Sequence, residues 1–259
     1  MLNIPKRIRF LISSTILLFG FASIQFVDDS YKFYGIALLV VLTGLFSVWS
    51  FFEGLGKNMT LTSIILPMLY TLGVGIFWFL LPANIYTRIP VIIFFTVGIY
   101  VLFSTMNIYT VSSSKTIALL RAARGVGFVL TLVTSFLLFD AILSIRQSVF
   151  LSSGLVFITS LLLFLQGFWS IDLEKKLNPL ISTMSLVSAL IVTELSITIF
   201  FWPVTVVVGS LFLTSGVYLL LGLGQTKLED RLFPASIREY LTVGLIVLAG
   251  MFFATHWGG

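Results

Sequence analysis

Apolar residues run along this chain in nine long stretches, which short polar segments separate. A helix needs about 20 mainly apolar residues to cross the hydrocarbon core of a bilayer, because each residue advances it by about 1.5 Å. The pattern therefore predicts an all-α polytopic membrane protein with about nine transmembrane helices. The predicted spans are Phe10–Val27, Phe33–Phe52, Leu61–Leu81, Ile89–Tyr109, Gly125–Leu143, Val149–Ile171, Leu180–Phe201, Pro203–Leu223 and Tyr240–Thr255.

The seventh and eighth stretches are separated only by Trp202 and the proline that follows it. Proline lacks an amide donor and clashes with the preceding helical turn, and Trp is enriched at the membrane–water interface. One helix over both stretches would have 44 residues, which is far more than the about 20 that a bilayer requires. We therefore expect a tight reversal at this point.

The composition excludes a soluble globular protein. Apolar residues make up 58% of the chain and charged residues only 10%, whereas soluble domains carry about 25% charged residues. The mean hydropathy is +1.12. No water-soluble fold hides this much apolar surface, because even a good core leaves a large surface to cover. The lipid bilayer is therefore the predicted environment and partner of the chain.

Basic residues are unevenly divided between the two predicted sides of the membrane. Of the 15 Lys and Arg residues, twelve fall on the side of the N-terminus, and cytoplasmic loops carry such an excess. We predict a multi-pass protein of the cell membrane, of the inner-membrane kind, with a cytoplasmic N-terminus and an outside C-terminus. The net charge of +5 then orients the chain against anionic lipid and does not indicate nucleic-acid binding. The twelve are Lys6, Arg7, Arg9, Lys57, Lys115, Arg121, Arg124, Lys175, Lys176, Lys227, Arg231 and Arg238, and the other three are Lys32, Arg88 and Arg146.

The second half of the chain repeats features of the first half. A fixed period is the signature of a tandem repeat, although apolar sequences also resemble one another by chance. We predict one four-helix membrane repeat over residues 1–123, which includes the basic N-terminal segment, and a second over 124–238. A ninth helix and a short outside C-terminus occupy 239–259. The matched pairs are Gly35 and Gly154, Trp49 and Trp169, Pro82 and Pro203, and Gly98 and Gly216, and their separations run from 118 to 121 residues.

Residues that usually carry chemistry are scarce. The chain has no Cys, which excludes disulfides, iron–sulfur clusters and thiolate zinc sites, and its one His is His256. The longest predicted connectors, 110–124 and 224–239, leave no room for a soluble catalytic domain. They lie either in the headgroup layer or in water as solvated connectors. We expect no catalytic residue, no cofactor-binding residue, no cofactor and no metal site.

Glu194 lies about two-thirds of the way along the seventh predicted span. Acids inside a membrane are costly and commonly functional. The opposite face of the same helix carries serine and alanine, which favours close packing on a neighbouring helix. We expect the carboxyl to point to a second neighbour or a cavity, and to be protonated where no cation faces it. A structural role, with the carboxyl bonded to Thr198 or a nearby carbonyl, is the alternative.

Polar residues also gather at the outer ends of three predicted spans. Asp140 lies near the end of the fifth, Gln25 near the end of the first and His256 at the end of the ninth. An Asp140–His256 pair at the outer surface is the one arrangement that could support an enzyme. The alternative is a set of ordinary interface residues that reach water.

Three functional hypotheses follow from these patterns. The favoured one is a non-catalytic subunit or scaffold of a membrane assembly, with other membrane proteins as partners and with the oligomeric state left open. The second is a transporter of a small solute, ion or lipid, because duplicated bundles recur among transporters, with Glu194 as its protonatable site. A membrane-embedded enzyme is the least favoured, since catalysis needs a nucleophile, a base and a stabilising group within reach of one another.

Overall fold

The computed structural model of the protein describes residues 5–52, 60–82, 84–112, 118–173 and 178–255. Within these residues the fold is all-helical, with nine helices that are long and apolar enough to cross a membrane and with no strand. The predicted fold class is confirmed, and the chain is a multi-pass membrane protein. The helices are α1 (Lys6–Ile24), α2 (Asp29–Phe51), α3 (Thr60–Leu80), α4 (Ile85–Ser112), α5 (Leu120–Ser144), α6 (Val149–Asp172), α7 (Pro179–Phe200), α8 (Val206–Leu228) and α9 (Pro234–Ala254).

Eight of the nine helix starts lie one to six residues from their predicted positions, and only α6 starts where predicted; the local sequence explains the starts of α8 and α9. The predicted reversal occupies residues 201–205, and α8 begins at Val206 because the Thr205 hydroxyl accepts a hydrogen bond from the Val208 amide at 3.4 Å. α9 begins at Pro234, six residues before the predicted start, since proline suits the first turn of a helix. The connector predicted over 224–239 is therefore mostly helical, and only residues 229–233 separate α8 from α9.

The described chain divides into two compact units. The first contains α1 to α4, the start of α5 as far as Leu130, and Leu173. In it α2 packs against α1, α3 and α4, and α4 also packs against α1 and α3. Aromatic rings fill its centre: the ring centroids of Phe21 and Phe95 are 4.5 Å apart, and those of Tyr70 and Phe95 are 6.3 Å apart. The first unit is thus a four-helix bundle with an aromatic core.

Hydrogen bonds between helices hold the first unit together in addition to apolar packing. The hydroxyls of Thr43 in α2 and Thr71 in α3 lie 3.1 Å apart and both side chains are buried. The Tyr70 hydroxyl in α3 donates to the Phe94 carbonyl in α4 at 2.7 Å. Such bonds stabilise a bundle in lipid, where the hydrophobic effect does not drive helices together.

The second unit contains α5 from Thr131 onward and α6 to α9. There α8 packs against α6, α7 and α9, and α6 packs against α7. The Gln225 amide donates from α8 to the Gly167 carbonyl in α6 at 2.9 Å. Within α9 only Met251 is buried, so α9 lies at the edge of its unit.

The proposed duplication is a statement about how the sequence arose, whereas the two compact units are defined by contacts within the structure. The units therefore do not test the duplication. The repeat boundaries at residues 123 and 238 therefore stay a prediction.

Candidate functional site

Asp140 is buried inside the second unit. Its side chain is only 5% exposed, and the buried Ser210 hydroxyl of α8 donates to Asp140 Oδ1 at 3.1 Å. The same hydroxyl lies 2.7 Å from the Val206 carbonyl. The interpretation that Asp140 reaches water is therefore wrong, because the carboxyl is turned towards α8. The contact joins α5 to α8 within the unit.

His256 lies outside the described residues, so the predicted Asp140–His256 pair stays a prediction. In the part of the chain that the structure describes, no group of three His, Asp or Glu side chains could hold a metal ion.

Glu194 is exposed on α7, where it lies among outward-facing apolar side chains. Leu190 is 47% exposed and Ile197 is 40% exposed on the same face. The Thr198 hydroxyl donates to the main-chain carbonyl of Glu194 at 3.0 Å, rather than to its carboxyl. The expected second neighbour is thus not found within the described chain. The reason is that α7 buries its small side chains, among them Ser185 and Ala189, and so turns Glu194 outward.

A pocket of about 350 Å³ lies in the first unit, where α1 ends, α2 begins and α3 turns into α4. We call it the Lys32–Arg88 pocket. Its described lining includes two cations and no acidic side chain. The lining residues are Gln25, Lys32, Phe33, Trp78, Phe79, Leu81, Pro82, Thr87 and Arg88.

A second pocket, of about 580 Å³, lies in the second unit, where α5 ends, α6 begins and α7 turns into α8. We call it the Arg146–Trp202 pocket. Arg146 adopts a φ of 50° just after α5, a left-handed conformation that is uncommon outside glycine. The lining residues are Leu143, Arg146, Ser152, Ile199, Phe200, Trp202, Pro203, Val204, Thr205 and Val206. Neither pocket contains Glu194 or Asp140.

The two pockets occupy corresponding places in the predicted repeat. Pro82 lines one and Pro203, its predicted counterpart, lines the other. Each pocket lies where the first helix of its predicted repeat ends, the second begins and the third turns into the fourth. The duplication itself stays a prediction.

Sequence reasoning used Lys32, Arg88 and Arg146 only to orient the chain and missed them as pocket residues. All three basic residues predicted on the outer side line one of the two pockets. Their scarcity was the signal that could have singled them out, because only three of the 15 Lys and Arg residues lie on the predicted outer side.

A protein-family model described as "Protein of unknown function (DUF5656)" matches residues 13–254 of the chain. No curated protein and no solved structure matches the sequence. The match covers all nine helices, although it begins within α1.

Proposed function

The chain belongs to the DUF5656 family, whose description assigns no function, and we propose that it is a non-catalytic subunit of a membrane assembly. The observation that carries this proposal is the exposed Glu194 on the apolar face of α7. The absence of Cys and the single His in the sequence support a non-catalytic role, because they leave few groups for covalent or acid–base chemistry.

The position of Glu194 along α7 makes exposure to lipid unfavourable. Glu194 lies six positions before Phe200, the last residue of the helix, which places it about 9 Å from that end. A charged side chain at the centre of a span costs about 2.5–3.5 kcal/mol; at the position of Glu194, between the centre and the end, the cost is smaller but still unfavourable, because the short Glu side chain is poorly suited to reach the interface. A polar partner on the α7 face would offset this cost.

The partner we propose is a transmembrane helix of a different protein, with a Lys, an Arg or another strong hydrogen-bond donor facing Glu194. Every Lys and Arg in the described helices lies within five residues of a helix end. The described helices of a second copy therefore hold no Lys or Arg as far from a helix end as Glu194 is. Charge complementarity favours a heteromeric contact over a homodimer.

Substitution of Glu194 by Leu should weaken this association without destabilising the isolated chain. Hydrogen bonds between membrane helices contribute about 1–2 kcal/mol, which corresponds to roughly 5–30-fold in affinity. The measurement is the yield of a defined heteromeric crosslink from a photoreactive residue at Leu190, in native membranes. Glu194→Gln distinguishes an ion pair from a neutral hydrogen bond, since the amide keeps hydrogen bonding and removes the charge.

A photoreactive residue at Val97 is the matched control for that experiment. Val97 is 56% exposed on α4 and Leu190 is 47% exposed on α7, so both present apolar side chains to their surroundings. A specific crosslink from Leu190 but not from Val97, lost in Glu194→Leu, supports the proposal. If Leu190 crosslinks no second protein, or if Glu194→Leu leaves the yield unchanged, the assembly proposal fails.

We also propose that the chain lies in the cell membrane with its N-terminus inside and its C-terminus outside. The positive-inside distribution supports this orientation. Because the chain has no Cys, single-cysteine labelling with a membrane-impermeant maleimide is free of background. Ser148→Cys should be labelled in intact cells, and Arg231→Cys only after lysis. The reverse pattern would contradict the orientation.

The transport hypothesis requires Glu194 to meet a hydrated cavity. Glu194 lines neither of the two pockets, and no contact of its carboxyl favours transport over assembly.

A further inference from the structure

The Lys32–Arg88 pocket gathers positive charge from two helices. Lys32 lies in the first turn of α2 and Arg88 in the first turn of α4. They are 56 residues apart in the sequence, yet both line the same pocket, and both are partly buried. Asp28, the residue before α2, is exposed and does not belong to the lining. The described lining therefore carries two cationic side chains and no acidic one.

A third polar group points to a ligand independently of these charges. Gln25 follows the last residue of α1 and lines the pocket. Its Nε2 atom is buried and has no hydrogen-bond partner within the described residues. A buried amide normally has a partner, because leaving it without one costs about 1–3 kcal/mol. The side chain as a whole is only partly buried, so a rotation within it would bring this amide to an acceptor oxygen of a molecule bound in the pocket.

The walls of the pocket are apolar and held in place by contacts behind them. The Trp78 ring meets Phe21 edge-on, with centroids 5.5 Å apart, and the Phe33 ring meets Phe79 at the same distance. The Thr87 hydroxyl donates to the Pro82 carbonyl at 2.6 Å and so fixes the turn between α3 and α4. The pocket thus combines fixed aromatic walls with donor groups.

We propose that the Lys32–Arg88 pocket binds an anionic phosphate group. Arg presents paired donors that match phosphate oxygens, Lys adds a point charge, and the Gln25 amide supplies a further donor. The volume of about 350 Å³ lies within the range of about 300–1,000 Å³ for small-molecule sites. The group can come from an anionic phospholipid at the bilayer surface or from a soluble phosphate compound. The aromatic walls favour the lipid.

Binding is to be measured on the full-length chain in a neutral detergent, as the dissociation constant from ligand-induced thermal shifts. The probes are short-chain phosphatidylglycerol, short-chain phosphatidylcholine and inorganic phosphate. We expect phosphatidylglycerol to bind and phosphatidylcholine to bind much more weakly. The double variant Lys32→Gln/Arg88→Gln should bind phosphatidylglycerol at least about tenfold more weakly, since it removes two charged donors.

Two further variants keep the test decisive. Gln25→Glu preserves the shape of the side chain and places a carboxyl where the amide lies, so it should also weaken binding even if the double variant does not fold. Arg231→Gln is the matched control, because Arg231 is exposed in the α8–α9 turn, 3.6 Å from Glu229, and belongs to neither pocket.

The outcomes separate the two sources of phosphate. Binding of phosphatidylglycerol without binding of inorganic phosphate assigns the pocket to a lipid headgroup, whereas tight binding of inorganic phosphate assigns it to a soluble anion. Both support the proposal if the pocket variants lose binding and Arg231→Gln retains it. Binding of neither anion, or equal binding by all variants, overturns the proposal.

Discussion

Substitution of Gly98 by Ala is expected to destabilise the first unit by about 2–5 kcal/mol. A Cβ atom at Gly98 in α4 would overlap the Tyr70 ring of α3. Tyr70 has no exposed surface, and its hydroxyl donates to the Phe94 carbonyl at 2.7 Å. The ring therefore cannot move without losing a buried hydrogen bond and disturbing the aromatic core. The measurement is the midpoint of thermal unfolding of the full-length chain in detergent.

Gly154→Ala is the matched control for this prediction. Gly154 lies in α6, and an added Cβ would meet no heavy atom within 4 Å. Its unfolding midpoint should stay equal to that of the unchanged chain or rise slightly, because Ala favours a helix more than Gly does. In a Tyr70→Leu background, Gly98→Ala should cost less, since the overlapping ring is gone. Equal midpoints for Gly98→Ala and Gly154→Ala would refute the close α3–α4 contact.

Substitution of Ser210 by Ala is expected to destabilise the second unit by about 1–3 kcal/mol. The Ser210 hydroxyl is the described partner of the Asp140 carboxyl, at 3.1 Å, and both side chains are buried. Its removal leaves a buried polar group to be satisfied elsewhere. Replacement of both residues, in Asp140→Leu/Ser210→Ala, should recover part of the loss, because an apolar pair has no unmet hydrogen bond. Thermal unfolding and a double-mutant cycle measure the coupling.

Ser160→Ala is the control for this pair. Ser160 in α6 has no exposed surface, and its hydroxyl has no hydrogen-bond partner among the described residues. Its removal should leave the unfolding midpoint unchanged or raise it. If Ser210→Ala is as mild as Ser160→Ala, the Asp140–Ser210 contact does not stabilise the unit.

The positions of the helices could be predicted from the sequence because length and apolarity alone decide whether a segment spans a bilayer. The starts of α8 and α9 were misplaced for a local reason. Hydropathy does not detect a cap such as Thr205 or the helix-starting preference of Pro234.

The environment of single side chains could be predicted only in part. The helical period correctly separated the packed face of α7, with Ser185 and Ala189, from the face that carries Glu194. Whether a second helix covers the face that carries Glu194 depends on tertiary packing, which cannot be read from the period of a single helix. The same limit applies to Asp140, because its hydrogen-bond partner Ser210 is 70 residues away in the sequence.

The Lys32–Arg88 pocket lay beyond sequence reasoning for a related reason. Its two cations come from different helices, and the turn between α3 and α4 brings them to one place. The spacing of Lys32 and Arg88 along the chain does not predict that they line one pocket.

The short turn between α7 and α8 has a consequence for biogenesis. Residues 201–205 can span at most about 18 Å when fully extended, at about 3.6 Å per residue, which is less than the thickness of a bilayer. The last residue of α7 and the first residue of α8 therefore lie on the same side of the membrane. We expect the two helices to insert together during synthesis, as a helical hairpin. An insertion error in this region would involve both helices at once and would leave the orientation of α9 unchanged.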